Sequence, residues 1–116
     1  IKKIEADSFL SLSTLMILQL NSNYLSDLNE FTFRNLNNLF YLALHQNQFN
    51  KISMSYFNGL PNLKYLYFFS NNLKYIEKDW INHTENLEVI EFSFQNIEKI
   101  EAYMFENLKM LNDLYL

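Results

Sequence analysis

The chain has 116 residues, a formal net charge of −4, one glycine, one proline and no cysteine. That excludes disulfides and cysteine-based metal sites within these residues, a low-complexity linker, and the basic stripe of a nucleic-acid binder. No apolar run approaches the ~20 residues needed to cross a bilayer, and runs such as 65–69 are strand-length.

Taken in order, the chain opens with IKKIEADSFLSLST, the back half of a unit whose front half is absent. Four full units follow at 15–38, 39–62, 63–86 and 87–110, and LNDLYL at 111–116 starts another. Leu15, Leu39, Leu63, Leu87 and Leu111 head the series, spaced by 24 residues without insertion. A fixed period of this size predicts a single solenoid domain, in which each unit buries its apolar side by stacking on its neighbours. The broken units at either end suggest a segment of a longer array. An array with both core ends uncovered can also pair with a second copy.

Within each unit, positions 1, 4, 6, 11, 14, 19 and 22 are expected to point inward. Of those 28 positions, 27 are Leu, Ile or Phe and one is Thr84, where a looser local packing is expected. The L-x-L segment alternates as a short strand does. It places Leu18, Leu42, Leu66, Ile90 and Leu114 in one buried row and Leu20, Leu44, Phe68, Phe92 and Leu116 in the next. Parallel strands, one per unit, follow. Phe9, Phe33, Phe57, Ile81 and Phe105 are expected to stack under the outer wall, which is short helix, 3₁₀ or irregular chain. Trp80 is expected to pack across that wall or to serve as a contact on it. Asn23, Asn47 and Asn71 fall where the chain leaves the strand, where a carboxamide can satisfy buried backbone groups on both sides. Gln95 takes that place in the fourth unit, which predicts a looser turn or a one-residue adjustment near 93–96.

The pattern L-x-x-L-x-L-x-x-N-x-L-x-x-L/I-x-x-x-x-F-x-x-L-x-x resembles the typical 24-residue leucine-rich repeat along the whole chain. The resemblance implies an α/β solenoid: an arc with a parallel β-sheet on its concave face and a mostly irregular or short helical convex side. This length class is familiar from Toll-type receptor ectodomains, insect immune repeat proteins and neuronal adhesion proteins. It therefore implies a secreted or cell-surface module that binds a protein ligand, with innate immunity as the associated biology. An intracellular adaptor or effector in the cytoplasm, or structural spacer repeats, are the competing readings.

Strand alternation then sorts the exposed face. One row holds Ile17, Tyr41, Tyr65, Val89 and Asp113; the next holds Gln19, Ala43, Tyr67, Glu91 and Tyr115; a third holds Asn21, His45, Phe69 and Ser93. Phe40 and Phe94 lie near the margins. Large exposed aromatics are enriched at interface hot spots, so Tyr41, His45, Tyr65, Tyr67, Phe69, Glu91, Phe94 and Tyr115 are the candidate partner-binding residues. The conservative alternative is that the rings only pack on each other across strands. Glu88, Glu91 and Asp113 make the fourth and fifth strands acidic, which suits a partner with an apolar centre and a basic flank.

No nucleophile–base pair, carboxylate pair, phosphate-binding glycine motif or metal-ligand spacing stands out, so neither catalysis nor a cofactor or metal is expected. His45 and His83 fall on opposite sides of the unit. Asn82-His83-Thr84 is the one glycosylation sequon, with Asn82 as acceptor on the outer side. Outer charges such as Lys2, Glu5, Lys51, Lys74, Glu77, Lys99 and Glu101 read as a solvated face with Lys–Glu pairs between units, each worth little.

Overall fold

The computed structural model describes residues 1–76, 80, 81 and 84–116. Five three-residue strands, β1 (Ile17–Gln19), β2 (Tyr41–Ala43), β3 (Tyr65–Tyr67), β4 (Val89–Glu91) and β5 (Asp113–Tyr115), form one parallel sheet in chain order. The register advances by one 24-residue unit per strand: Leu18, Leu42, Leu66, Ile90 and Leu114 face one another in turn. Among the described residues the helical content is a single 3₁₀ turn, Met54–Phe57. No described helix is long and apolar enough to cross a membrane.

The core runs as a column behind the sheet. Of the 28 expected inward positions, all but Ile100 are buried or packed against that column; Ile100 is 40 % exposed. Ile100 belongs to the last complete unit, which has only a half-unit stacked beyond it. Thr84 is fully buried, and its hydroxyl donates to the Ile81 carbonyl at 3.2 Å. That bond satisfies the polar group within its own turn; the backbone just before it, where looser packing is expected, lies outside the described residues.

A further buried row lies at unit position 18, outside the inward positions expected from the sequence. Thr32, Tyr56, Trp80 and Met104 recur at the unit spacing and all are buried. They share no chemistry, so a search for recurring aliphatics passes over them. The Trp80 ring lies edge-on to Phe57 at 5.7 Å and tilted against Phe92 at 5.3 Å, so it sits in the core instead of serving as an outer contact. The expected outer phenylalanine stack is realised between Phe9 and Phe33, with rings 6.2 Å apart, while Phe57 turns to Tyr56 and Trp80.

Two asparagine ladders tie the turns together. In the inner one, the Asn47 carbonyl oxygen accepts from the Leu25 N–H at 2.9 Å, and its amide donates to the Leu20 and Leu44 carbonyls. Asn71 repeats this with Phe49, Leu44 and Phe68. Gln95 accepts from the Leu73 N–H and donates to the Phe68 carbonyl, so the longer amide reaches the same cross-turn partners. The expected rearrangement near 93–96 is absent: Phe94 has φ 57°, matching Ser22 (56°), Gln46 (55°) and Ser70 (53°) at the unit spacing. The outer ladder is Asn38, Asn62 and Asn86, whose amides donate to the carbonyls of Ser13, Asn37 and Pro61, each 25 residues back. Its 24-residue recurrence is plain in the sequence once sought.

Gly59 lies at a close inter-turn approach. Its φ is +88°, and a Cβ there would stand 2.9 Å from the Phe33 carbonyl oxygen. The expected Lys–Glu pairs between outer units take a different form among the described residues. Lys3 pairs with Glu5 within one unit, and the outer cross-unit pair is Arg34 with Asp7 at 3.1 Å. Exposed pairs of this kind contribute about 0–1 kcal/mol.

Candidate functional site on the sheet face

Because the strands are three residues long, each points two side chains outward and one toward the core side. The outward rows align as Ile17–Tyr41–Tyr65–Val89–Asp113 and Gln19–Ala43–Tyr67–Glu91–Tyr115. Tyr41, Tyr65 and Tyr67 come together: the Tyr41 ring lies 6.4 Å from Tyr65 along its row and 5.2 Å from Tyr67 on the diagonal. Ala43, adjacent to both Tyr41 and Tyr67, is fully buried although it points outward. A small residue at that point lets the two larger rings close over the backbone. Phe40 extends the cluster at the margin, edge-on to Tyr65 at 6.2 Å. Such contacts contribute about 0.5–1.5 kcal/mol per pair.

His45 and Phe69 form a second pair, stacked at 4.2 Å with an 11° interplanar angle. The His45 Nδ1 is buried with no hydrogen-bond partner among the described residues, and burial holds the imidazole pKa below its usual 6.5. Burial also pushes the Tyr67 phenol upward, aided by Tyr41, Tyr65, Glu91 and Tyr115 around it. Phe94 stands apart from both clusters, 82 % exposed on its left-handed turn. Glu91 and Tyr115 continue the Tyr67 row. Asn82, with its neighbour His83, lies outside the described residues.

The charges on the entry side of the sheet are largely spoken for. Lys64 meets Glu88 at 2.8 Å, and the Tyr65 hydroxyl donates to the same carboxylate at 3.3 Å. That contact raises the Lys64 pKa and lowers that of Glu88. Asn38, Phe40, Asn62, Lys64 and Tyr65 line a shallow depression of about 450 Å³ there. Sequence reasoning omitted Lys64, Asn38 and Asn62 from the candidate residues. Glu91 is oriented by its own turn, one carboxylate oxygen accepting from the Ser93 N–H at 2.9 Å. Among the described residues no group of three metal-ligating side chains converges.

A family model, the BspA type leucine rich repeat region, matches residues 1–112 in six copies. The chain belongs to this leucine-rich repeat family. Solved structures share the repeat fold. The Toll–Spatzle complex, described as a hub in Drosophila development and innate immunity, superposes with a TM-score of 0.89 at 24 % identity, over 99 % of this chain and 17 % of that one. The leucine-rich repeat domain of APL1B gives 0.83 at 21 % identity, over 100 % of this chain and 36 % of that one. The TLR13–ssRNA13 complex gives 0.79 at 24 % identity, over 100 % and 20 %. This chain thus spans about a sixth to a third of the length of these neighbours. No curated protein sequence matches it significantly.

Proposed function

We propose that this leucine-rich repeat chain is a non-enzymatic recognition module that docks a protein ligand on its sheet face. The observation that carries this reading is the Tyr41–Tyr65–Tyr67 cluster. The buried rows do the structural work, yet three large rings stand half-exposed on the outward side of β2 and β3, where solubility alone would favour small polar residues. Tyr presents a rigid apolar face and a polar tip at low entropic cost, which suits it to an interface. The fold shared with Toll and APL1B supports a secreted or cell-surface setting, with innate immunity as the associated biology.

Photo-crosslinking tests the docking surface. With benzoylphenylalanine replacing Tyr67 in the protein, we expect a discrete protein adduct; the same probe replacing Glu101, on the outer side, should give none. Equal labelling from both positions, or none from either, would favour the spacer reading. Surface biotinylation tests the setting, which fails if the protein stays unlabelled in intact cells.

A further inference from the structure

The Tyr67–Glu91–Tyr115 row has a more specific chemistry than an aromatic patch. Register places Glu91 directly between the two tyrosines on adjacent strands. With strands about 4.8 Å apart, the tyrosine-bearing positions are about 10 Å apart. A planar group stacked between two rings at about 3.5–4 Å from each needs about 7–8 Å. The spacing therefore leaves room for a slot between the two tyrosine-bearing positions, with a carboxylate-bearing position between them. One Glu91 oxygen is held by the Ser93 N–H, and the other has no protein donor among the described residues. Lys64, the one lysine beside this face among the described residues, is already matched by Glu88. Asp113, in the adjacent row, adds a second carboxylate on β5 without a described ion pair. The chain carries a net charge of −4, so the surrounding field also favours a cation.

We propose that this slot receives a guanidinium group, so that the partner docked on the sheet face is a protein presenting an arginine side chain. A guanidinium is planar, stacks on aromatic faces and donates in a fork that matches a carboxylate; an ammonium is drawn to a ring or a carboxylate as a point charge and has neither the plane nor the fork. The inference rests on the docking reading above and narrows it to a basic partner segment.

The test uses the 116-residue chain and two blocked peptides, Gly-Gly-Arg-Gly-Gly and its counterpart with citrulline, which keeps the shape and loses the charge. NMR titration follows the Tyr67 and Tyr115 ring signals. The arginine peptide should shift both rings, and the citrulline peptide should bind at least tenfold more weakly. Glu91→Gln and Tyr115→Ser, both on the surface, should each weaken arginine-peptide binding severalfold with the ring signals of Tyr41 still dispersed, showing an intact fold. Equal binding of the two peptides overturns the guanidinium slot while leaving sheet-face docking standing. Binding untouched by either substitution, or no binding of the arginine peptide, also overturns it; the crosslinking experiment then decides separately whether the face docks a protein at all.

Discussion

Burial of the His45 ring against Phe69 penalises the imidazolium, and its buried Nδ1 has no partner among the described residues to offset that cost. The folded-state pKa therefore lies below the unfolded value of about 6.5. As pH falls through that window the unfolded chain takes up a proton that the folded chain refuses, so stability is greatest above about pH 6.5 and declines on acidification. Thermal melts between pH 7.5 and 5.5 should show this decline, and His45→Gln should flatten it. Phe94 makes a different demand. A bulky residue at φ 57° is strained by about 1–2 kcal/mol, and asparagine tolerates that region better. Phe94→Asn should raise unfolding stability in urea by about 1 kcal/mol; an unchanged or lower midpoint would show that the ring makes contacts offsetting the strain. Sequence alternation put Phe94 near the edge of the face but gave no hint of its backbone, because Ser22, Gln46 and Ser70 at equivalent places look like ordinary turn residues.

Each turn depends on amides that bridge two backbones, and the two ladders differ in depth. Asn47 is buried and serves the Leu25 N–H together with the Leu20 and Leu44 carbonyls, whereas Asn62 is exposed and donates to one carbonyl. Leaving a buried backbone group unsatisfied costs about 1–3 kcal/mol. We expect Asn47→Ala to destabilise by about 2–3 kcal/mol and Asn62→Ala by less than about 1 kcal/mol; comparable losses in denaturant unfolding would refute the distinction. The strand rows and inner asparagines were legible because period two and a repeated polar residue are direct consequences of backbone geometry. Position 18 was not, since Thr32, Tyr56, Trp80 and Met104 have only burial in common. Gln95 misled for a related reason. One extra methylene changes the residue name without changing which groups its amide can reach.

In the whole molecule, burial peaks in the middle and thins toward both ends. Leu42, Leu66 and Ile90 are fully enclosed, whereas β5 is exposed throughout. A solenoid's stability is close to a sum over neighbouring units, so central positions are held from two sides and terminal ones from one. Leu66→Asp should abolish cooperative unfolding by putting a charge in the core, while Leu114→Asp should leave a folded chain; circular dichroism melts distinguish the two, and equal effects would contradict the nearest-neighbour picture. The arrangement of the sheet face was legible at this scale because a constant register carries each side chain's direction from unit to unit. What the rings do to one another was not: the cover over Ala43 and the His45–Phe69 stack depend on rotamers that no periodicity encodes.

Trp80 is the chain's only tryptophan, and its indole touches Phe57 of the preceding unit and Phe92 of the following one. A single chromophore thus samples three consecutive units. Its fluorescence should be blue-shifted and shielded from iodide while those units are stacked, and should redden when either neighbour separates, giving an optical record of where along the array unfolding begins.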